Sequence, residues 1–271
     1  MKLTQHKTTG GARWAADGQW LPESFTLDLF LELPRDRMAD FLDALPRLGD
    51  AEGSLLAPLQ AMQEVWASGV TYLRSRDARE SESETGDIYM KVYKAERPEL
   101  FYKASGWRVV AHEAPIRVRR DSTWNVPEPE LTLVINSVLE VIGFCVGNDV
   151  SSRNIEGENP LYLPQAKVFN GSCALGPAIM LMDPDAMRDL AIELDIVRDE
   201  EVVFHGETNT SLIQRDFEVL AAYLGRSLDF PQGVFLMTGT GIVPPDDFTL
   251  SPGDVVRVTI AGMELQNPVI H

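Results

Sequence analysis

From about residue 98 onward, short apolar or alternating segments follow one another with almost no helix between them. They fall at residues 100–103, 131–135, 141–146, 178–182, 191–197, 201–204, 234–238 and 255–260, set apart by Gly, Pro, Asp or Asn. Only residues 212–224 interrupt them with helical spacing. A doubly wound parallel sheet needs a helix between successive strands, so that architecture is excluded. The expected fold class is α+β, mainly β, with a β-sandwich or rolled-sheet domain over residues 91–271. Asp199-Glu200, between Val197 and Val202, marks a hairpin turn within it.

The first 90 residues have a different texture and predict a small N-terminal α/β domain, 1–90. Residues 25–33 suggest a strand. Residues 35–45 carry Met38, Phe41, Leu42 and Leu45 at helical spacing, and residues 58–73 repeat the pattern through Leu59, Met62, Val65, Trp66 and Val70. Residues 76–87, rich in Asp, Glu, Ser and Arg, suggest a solvated helix end, loop or linker.

Twenty-four basic against 41 acidic residues leave a formal charge of −17. Such a chain has little with which to displace counterions from phosphates, so nucleic acid and anionic membrane are excluded as partners. Most of this acidity serves solubility. No apolar run is long enough to span a bilayer, and the N-terminus Met1–His6 lacks an apolar signal core, so a cytoplasmic protein is expected. Cys145 and Cys173 sit among apolar residues and are expected as buried free thiols.

The chemistry-bearing residues cluster between Glu128 and Lys167. Glu128 and Glu130 stand two apart in Pro127-Glu128-Pro129-Glu130-Leu131, so an extended strand points both to one face. Like charges so placed repel unless something positive lies between them, and a hard divalent cation suits carboxylate oxygens. The prolines place the start of this strand at a sheet edge or bulge. Taken alone, the pair equally describes two solvated glutamates on a surface strand. Asp149 ends an apolar run, where a metal ligand and a turn-forming Asp are equally in keeping. Lys167 lies among apolar residues, which suits a lysine whose stem lies along the surface. As part of the cluster it neutralises three carboxylates around a divalent ion and can move a proton. Thr238-Gly239-Thr240-Gly241 offers backbone and hydroxyl donors at a strand end, as ordinary glycine turns also do. The four histidines lack zinc-site spacing, and serine-hydrolase, P-loop and dinucleotide-binding signatures are absent from the sequence.

In this order the residues resemble the fumarylacetoacetate hydrolase family over roughly residues 98–270. The anchors are Glu128-Pro129-Glu130-Leu131, Gly147 through Arg153, Lys167, Gly176-Pro177, Thr238-Gly239-Thr240 and Gly253-Asp254. The resemblance implies Mg²⁺, or Mn²⁺, held by Glu128, Glu130 and Asp149, with Lys167 as the family lysine and Thr240 binding substrate. It also implies a mixed β-sandwich roll as the fold, and a homodimer or homotetramer. The run Thr240-Gly241-Ile242-Val243-Pro244-Pro245, the segment 119–127 and the insertion 156–162 look like a sugar-acid branch whose members dehydrate 2-keto-3-deoxy-pentonates. No counterpart of the hydrolases' His–Glu dyad is evident, and His112-Glu113 matches it poorly.

The expected reaction is therefore Mg²⁺-dependent dehydration of a small 2-keto acid, a 2-keto-3-deoxy-pentonate, to 2,5-dioxopentanoate. Lys167 and Glu99 are the expected acid/base residues, and Arg119, Ser122 and Thr240 the expected substrate contacts. For Arg119 and its neighbour Arg120, a pair of surface charges is an equal alternative. Two other functions compete: an acylpyruvate hydrolase or oxaloacetate decarboxylase with the same metal chemistry, and a non-catalytic 2-keto-acid-binding protein.

Overall fold

The computed structural model describes residues 1–74 and 87–271. Strands β1 (Lys2–Thr8), β2 (Gly11–Ala16) and β3 (Gln19–Trp20) precede helices α1 (Leu27–Leu31) and α2 (Arg35–Ala44) and strands β4 (Leu55–Leu56) and β5 (Glu64–Gly69). Next come α3 (Asp87–Lys94), β6 (Glu99–Ser105), β7 (Ile116–Arg117), β8 (Asn125–Val126), β9 (Pro129–Ile135), β10 (Val141–Asp149) and β11 (Ser151–Ser152). Helices α4 (Arg153–Glu158) and α5 (Leu163–Lys167) lead to β12 (Cys173–Leu181), β13 (Ala191–Arg198) and β14 (Glu201–Asn209). Helix α6 (Phe217–Leu224) and strands β15 (Val234–Met237), β16 (Val255–Ile260) and β17 (Met263–Ile270) complete the chain.

A ten-stranded sheet runs β3-β2-β1-β12-β10-β9-β15-β5-β6, with β4 paired to β1. A five-stranded sheet runs β14-β13-β16-β17-β7, and β8 and β11 form a small ribbon. Pairing is mostly antiparallel, with β5–β15 and β7–β17 parallel, so the sheets are mixed. The large sheet curls on itself: beyond β6, Val110 N donates to Cys173 O and Leu175 N to Val110 O, at 2.8 and 3.0 Å. That return brings β6 towards the junction of β10 and β12.

Two cores flank the large sheet. Leu131, Leu133 and Ile135 of β9 pack with Ile192, Leu194, Val256, Val258 and α6. The opposite face, with Val134, Cys145, Leu175 and Phe235, packs with Leu27, Phe30, Met38 and Leu42 of α1 and α2. Every residue of β9 and β10 is buried, as expected where both faces of a strand are covered. Full burial of each large apolar side chain there stabilises by about 1.5–3 kcal/mol. Both cysteines are buried free thiols, as expected.

Several local expectations change. Residues 25–33 hold helix α1 rather than a strand, because Leu27, Phe30 and Leu31 at i, i+3 and i+4 all meet the core. Within 58–73, a strand replaces the expected helix. Val65 and Ala67 of β5 face the core at period two while the backbone pairs with β15 and β6. Strand β9 lies between β10 and β15, but its ladder with β15 covers only Thr132–Ile135, so at Pro129 the strand is paired with β10 alone. Pro129 is tolerated as the first residue of the strand, where a missing N–H costs least. Strands β1–β3 and β17 had no sequence expectation, because the polar residues alternating within β1 and β17 mask their apolar faces. The helix expected over 212–224 shortens to α6, after a single 3₁₀ turn at Thr210–Leu212. Residues 76–86 of the expected loop lie outside the described residues, and Asp87 opens α3. Strands from before residue 70 and after residue 98 share the ten-stranded sheet, so its hydrogen bonding continues across the division drawn at residue 90.

Candidate active site

The ladder itself assembles the acidic cluster. Glu130 stands opposite Gly147 and Pro129 opposite Asn148, so the next pair in register is Glu128 and Asp149. Asp149 N donates to Glu128 O at 2.9 Å. One carboxylate oxygen from each of Glu128, Glu130 and Asp149 lies within 4.8 Å of the others. All three side chains are buried, at 3 %, 1 % and 1 % exposure, which rules out solvated surface glutamates. They line a cleft with Lys167 from the end of α5, Glu156 from α4, Glu99 and Phe101 from β6, Ser68 and Gly69 from β5, Val70, and Gly239 and Thr240 after β15.

Buried like charges at this spacing are costly unless paired. Lys167 Nζ supplies three hydrogen bonds: to Glu128 Oε2 at 2.8 Å, Asp149 Oδ2 at 3.2 Å and Ser151 Oγ at 2.6 Å. Arg153 Nη2 lies 3.2 Å from Glu128 Oε1, and Lys103 Nζ sits against Asp149 Oδ1. Glu130 accepts a hydrogen bond from Gly239 N at 2.6 Å. Burial, followed by the charges of Asp149 and Glu128, pushes the Glu130 carboxyl well above the usual range against the pull of Lys167.

Two glycines make room for this arrangement. Gly239 has φ +87°, and a Cβ there would stand 2.2 Å from Thr71 Oγ1, so only glycine presents this N–H to Glu130 without strain. Thr71 Oγ1 donates to Thr238 O at 2.5 Å, and Thr238 Oγ1 to Leu131 O at 2.9 Å, which pins the loop to β9. Gly69 has no side chain to displace Glu99, whose Oε2 lies 2.2 Å from where a Cβ would be.

Six of the expected site residues therefore meet in one cleft: Glu99, Glu128, Glu130, Asp149, Lys167 and Thr240. The lining does not include Arg119 or Ser122. Arg119 pairs with Asp121 at 2.5 Å and donates to Gln165 O at 2.9 Å, with its guanidinium 5.6 Å from the centre of the Phe169 ring. Ser122 Oγ donates to Asn154 Oδ1 at 2.5 Å and accepts from Ser152 Oγ at 2.8 Å. Sequence reading passed over Lys103, Ser151, Arg153 and Glu156. Arg153 and Glu156 carry a signal, being an i, i+3 pair that opens a helix four residues after Asp149. Lys103 carries none, because its partners lie 46 to 64 residues away.

The donor set suits a hard divalent cation: carboxylate oxygens converge in a buried space. Among the described residues, five carboxylates (Glu99, Glu128, Glu130, Asp149, Glu156) accompany three cations (Lys103, Arg153, Lys167), an excess of two negative charges when all are ionised. One divalent ion cancels that excess. No histidine lines the cleft. His112 instead accepts a hydrogen bond from Gln266 N at 3.1 Å, and its Nε2 lies 4.0 Å from exposed Glu113.

A family model described as the fumarylacetoacetate hydrolase C-terminal region matches residues 64–270. The chain belongs to the fumarylacetoacetate hydrolase family. The match begins at the first residue of β5, the strand whose end lines the cleft. Among relatives in the family, a probable 2-keto-3-deoxyxylonate dehydratase of Haloferax volcanii is 47 % identical over 202 residues, 74 % of this chain and 70 % of that protein. The 2-dehydro-3-deoxy-D-arabinonate dehydratase of Saccharolobus solfataricus is 44 % identical over 206 residues, 74 % of this chain and 69 % of its own. A solved 2-keto-3-deoxy-D-arabinonate dehydratase complexed with magnesium and 2,5-dioxopentanoate superposes with TM-score 0.81 at 33 % identity, covering 99 % of this chain and 98 % of that one. Among the described residues, no helix is long and apolar enough to cross a membrane.

Proposed function

We propose that this chain is a Mg²⁺-dependent hydro-lyase that converts a 2-keto-3-deoxy-pentonate to 2,5-dioxopentanoate. The observation that carries the reading is the buried triad of Glu128, Glu130 and Asp149, with Lys167 Nζ bonded to two of its members. Two dehydratases of this substrate class at 44–47 % identity support it. In this reading the triad holds Mg²⁺, with Mn²⁺ as its substitute. When bound, the ion supplies Lewis acidity that polarises the keto acid and favours loss of a proton next to the carbonyl.

The chain's own groups divide the remaining work. In this reading Glu99, which lines the cleft from the start of β6, takes the C3 proton and returns it to the C4 hydroxyl as that group leaves as water. Lys167 Nζ holds positive charge beside the reacting carbonyl and carries a proton during the final tautomerisation. That step removes a proton from C5 and adds one at C3, and the C4–C5 enol so formed passes its hydroxyl proton to C4 to give the aldehyde, so the net change is loss of one water. Thr240 and the donors of its loop bind the carboxylate end of the substrate. Arg119 and Ser122 remain proposed contacts at one remove from the cleft: Arg119 through Gln165 on α5, Ser122 through Asn154 on α4.

A product assay tests the reading. The purified protein is given 2-keto-3-deoxy-arabinonate and -xylonate, each with Mg²⁺ and with chelator. Aldehyde product that appears with Mg²⁺ and disappears with chelator is expected. Cleavage of acylpyruvates or oxaloacetate to pyruvate without any dehydration would replace it with the hydrolase or decarboxylase reading, and metal-dependent binding without turnover with the binding-protein reading.

A further inference from the structure

Lys103 is fully buried, yet it is not part of the cleft lining. It projects from β6, at the edge of the large sheet, and reaches β10 and α5 where the sheet curls back. Its ammonium forms an ion pair with Asp149 Oδ1 and donates to Val150 O at 3.1 Å and to Lys167 O at 2.5 Å. Each belongs to the catalytic assembly. The first is an oxygen of the triad, the second follows it in the chain, and the third is the main chain of the lysine that faces the triad. A lysine with no exposed surface is rare, and burying it without these partners would be costly.

The contact divides the two oxygens of Asp149. Lys103 lies against Oδ1 as its ion-pair partner, while Oδ2 accepts from Lys167. Lys103 also secures the C-terminal carbonyl of α5, which Ser172 Oγ supports at 2.8 Å. One buried cation thus sets both the orientation of Asp149 and the position of the helix end that carries Lys167.

From this geometry, and resting on the metal-dependent reading above, we infer that Lys103 is a positioning residue for the dehydration. It fixes the orientation of Asp149 toward the cleft and holds the Lys167 ammonium in register with the substrate. Lys103 touches no substrate, so its removal loosens geometry. It also takes one positive charge away from the metal site, which by Coulomb's law does not weaken cation binding. Chemistry and metal affinity should therefore part company in the variant.

The test compares native protein with Lys103→Met and Lys103→Gln. Mn²⁺ affinity is measured by electron paramagnetic resonance and turnover by the product assay. Melting is followed with and without Mg²⁺. Displacement of a group that must be aligned to within about an ångström is expected to lower kcat at least tenfold with KM little changed. Mn²⁺ should bind the variants at least as tightly as native protein. Melting should fall without metal and recover more on adding Mg²⁺ than in native protein, because the cation replaces the partner that Asp149 has lost. Lys103→Gln keeps an amide donor for the carbonyls and serves if Lys103→Met fails to fold. Folded variants with native kcat, or with kcat and Mn²⁺ affinity falling in step with stability, overturn the inference and leave the metal-dependent reading standing. Native protein that binds no Mn²⁺ overturns both.

Discussion

Glu130 lies buried beside two other acids. Burial, then the charges of Asp149 and Glu128, raise its pKa, and Lys167 and the Gly239 N–H oppose them. Glu130→Gln keeps an acceptor for that N–H and removes the charge. The variant is expected to fold like native protein while losing about 100-fold or more in Mg²⁺-dependent turnover, the scale of damage typical at a metal site. A product assay at saturating substrate decides it, and undiminished turnover would remove Glu130 from the ligand set. His205, which does not line the cleft, is exposed, and its partners favour the charged form. Hydrogen bonds to Asp195 at 2.7 Å and Glu207 at 3.1 Å raise its pKa above 6.5. Protonated His205 thus adds its full stabilisation below the unfolded value of about 6.5 and loses it as pH climbs through the folded one. Proton NMR of the His205 ring should show a midpoint above 6.5 that drops in Asp195→Asn.

Among the elements, the turn after β15 does the most for the site with the fewest residues. It must place a backbone N–H on Glu130 and a hydroxyl, Thr240, in the cleft wall, and Gly239 at φ +87° makes both possible. Gly239→Ala adds a left-handed penalty of about 1–2 kcal/mol and a clash with Thr71. Melting temperature and turnover should fall together, whereas Gly253→Ala is a fair control. Gly253 has a similar φ of +99° but open space around it, so it should pay the backbone penalty and keep its turnover. Equal turnover in the two variants would show that the loop places nothing the reaction needs.

For the molecule as a whole, the net charge of −17 and the acidic cleft make cations stabilising in two distinguishable ways. Screening is general and saturates with ionic strength, whereas a bound ion is specific and follows mass action. Mg²⁺ at about one hundred times its dissociation constant should stabilise by about 2.7 kcal/mol, several degrees of melting temperature for a chain of this size. KCl at matched ionic strength should give less, and Glu130→Gln should erase the difference. Calorimetric scans of the two proteins in the two salts make the comparison. Identical shifts with Mg²⁺ and KCl in native protein would mean that no ion is held.

What the amino-acid order settled by itself was local. Period-two alternation in 131–135 and 191–197 marks strands because a pleated backbone turns successive side chains to opposite faces, and those strands are present. Glu128 and Glu130 were legible as a pair for the same reason, and Asp199-Glu200 as a turn, where both residues take positive φ. Other features were decided only in three dimensions. Residues 64–69 are a strand because β15 and β6 offer their backbones a ladder, although their apolar spacing also fits a helix. Asp149 is buried against Glu128 because β9 and β10 pair in one register, and Lys103 reaches Asp149 because the sheet curls until β6 returns to β10. Side-chain periodicity depends on neighbours a few residues away, but register and curl depend on partners dozens of residues distant. Those distant contacts create the charge cluster on which the proposed chemistry depends.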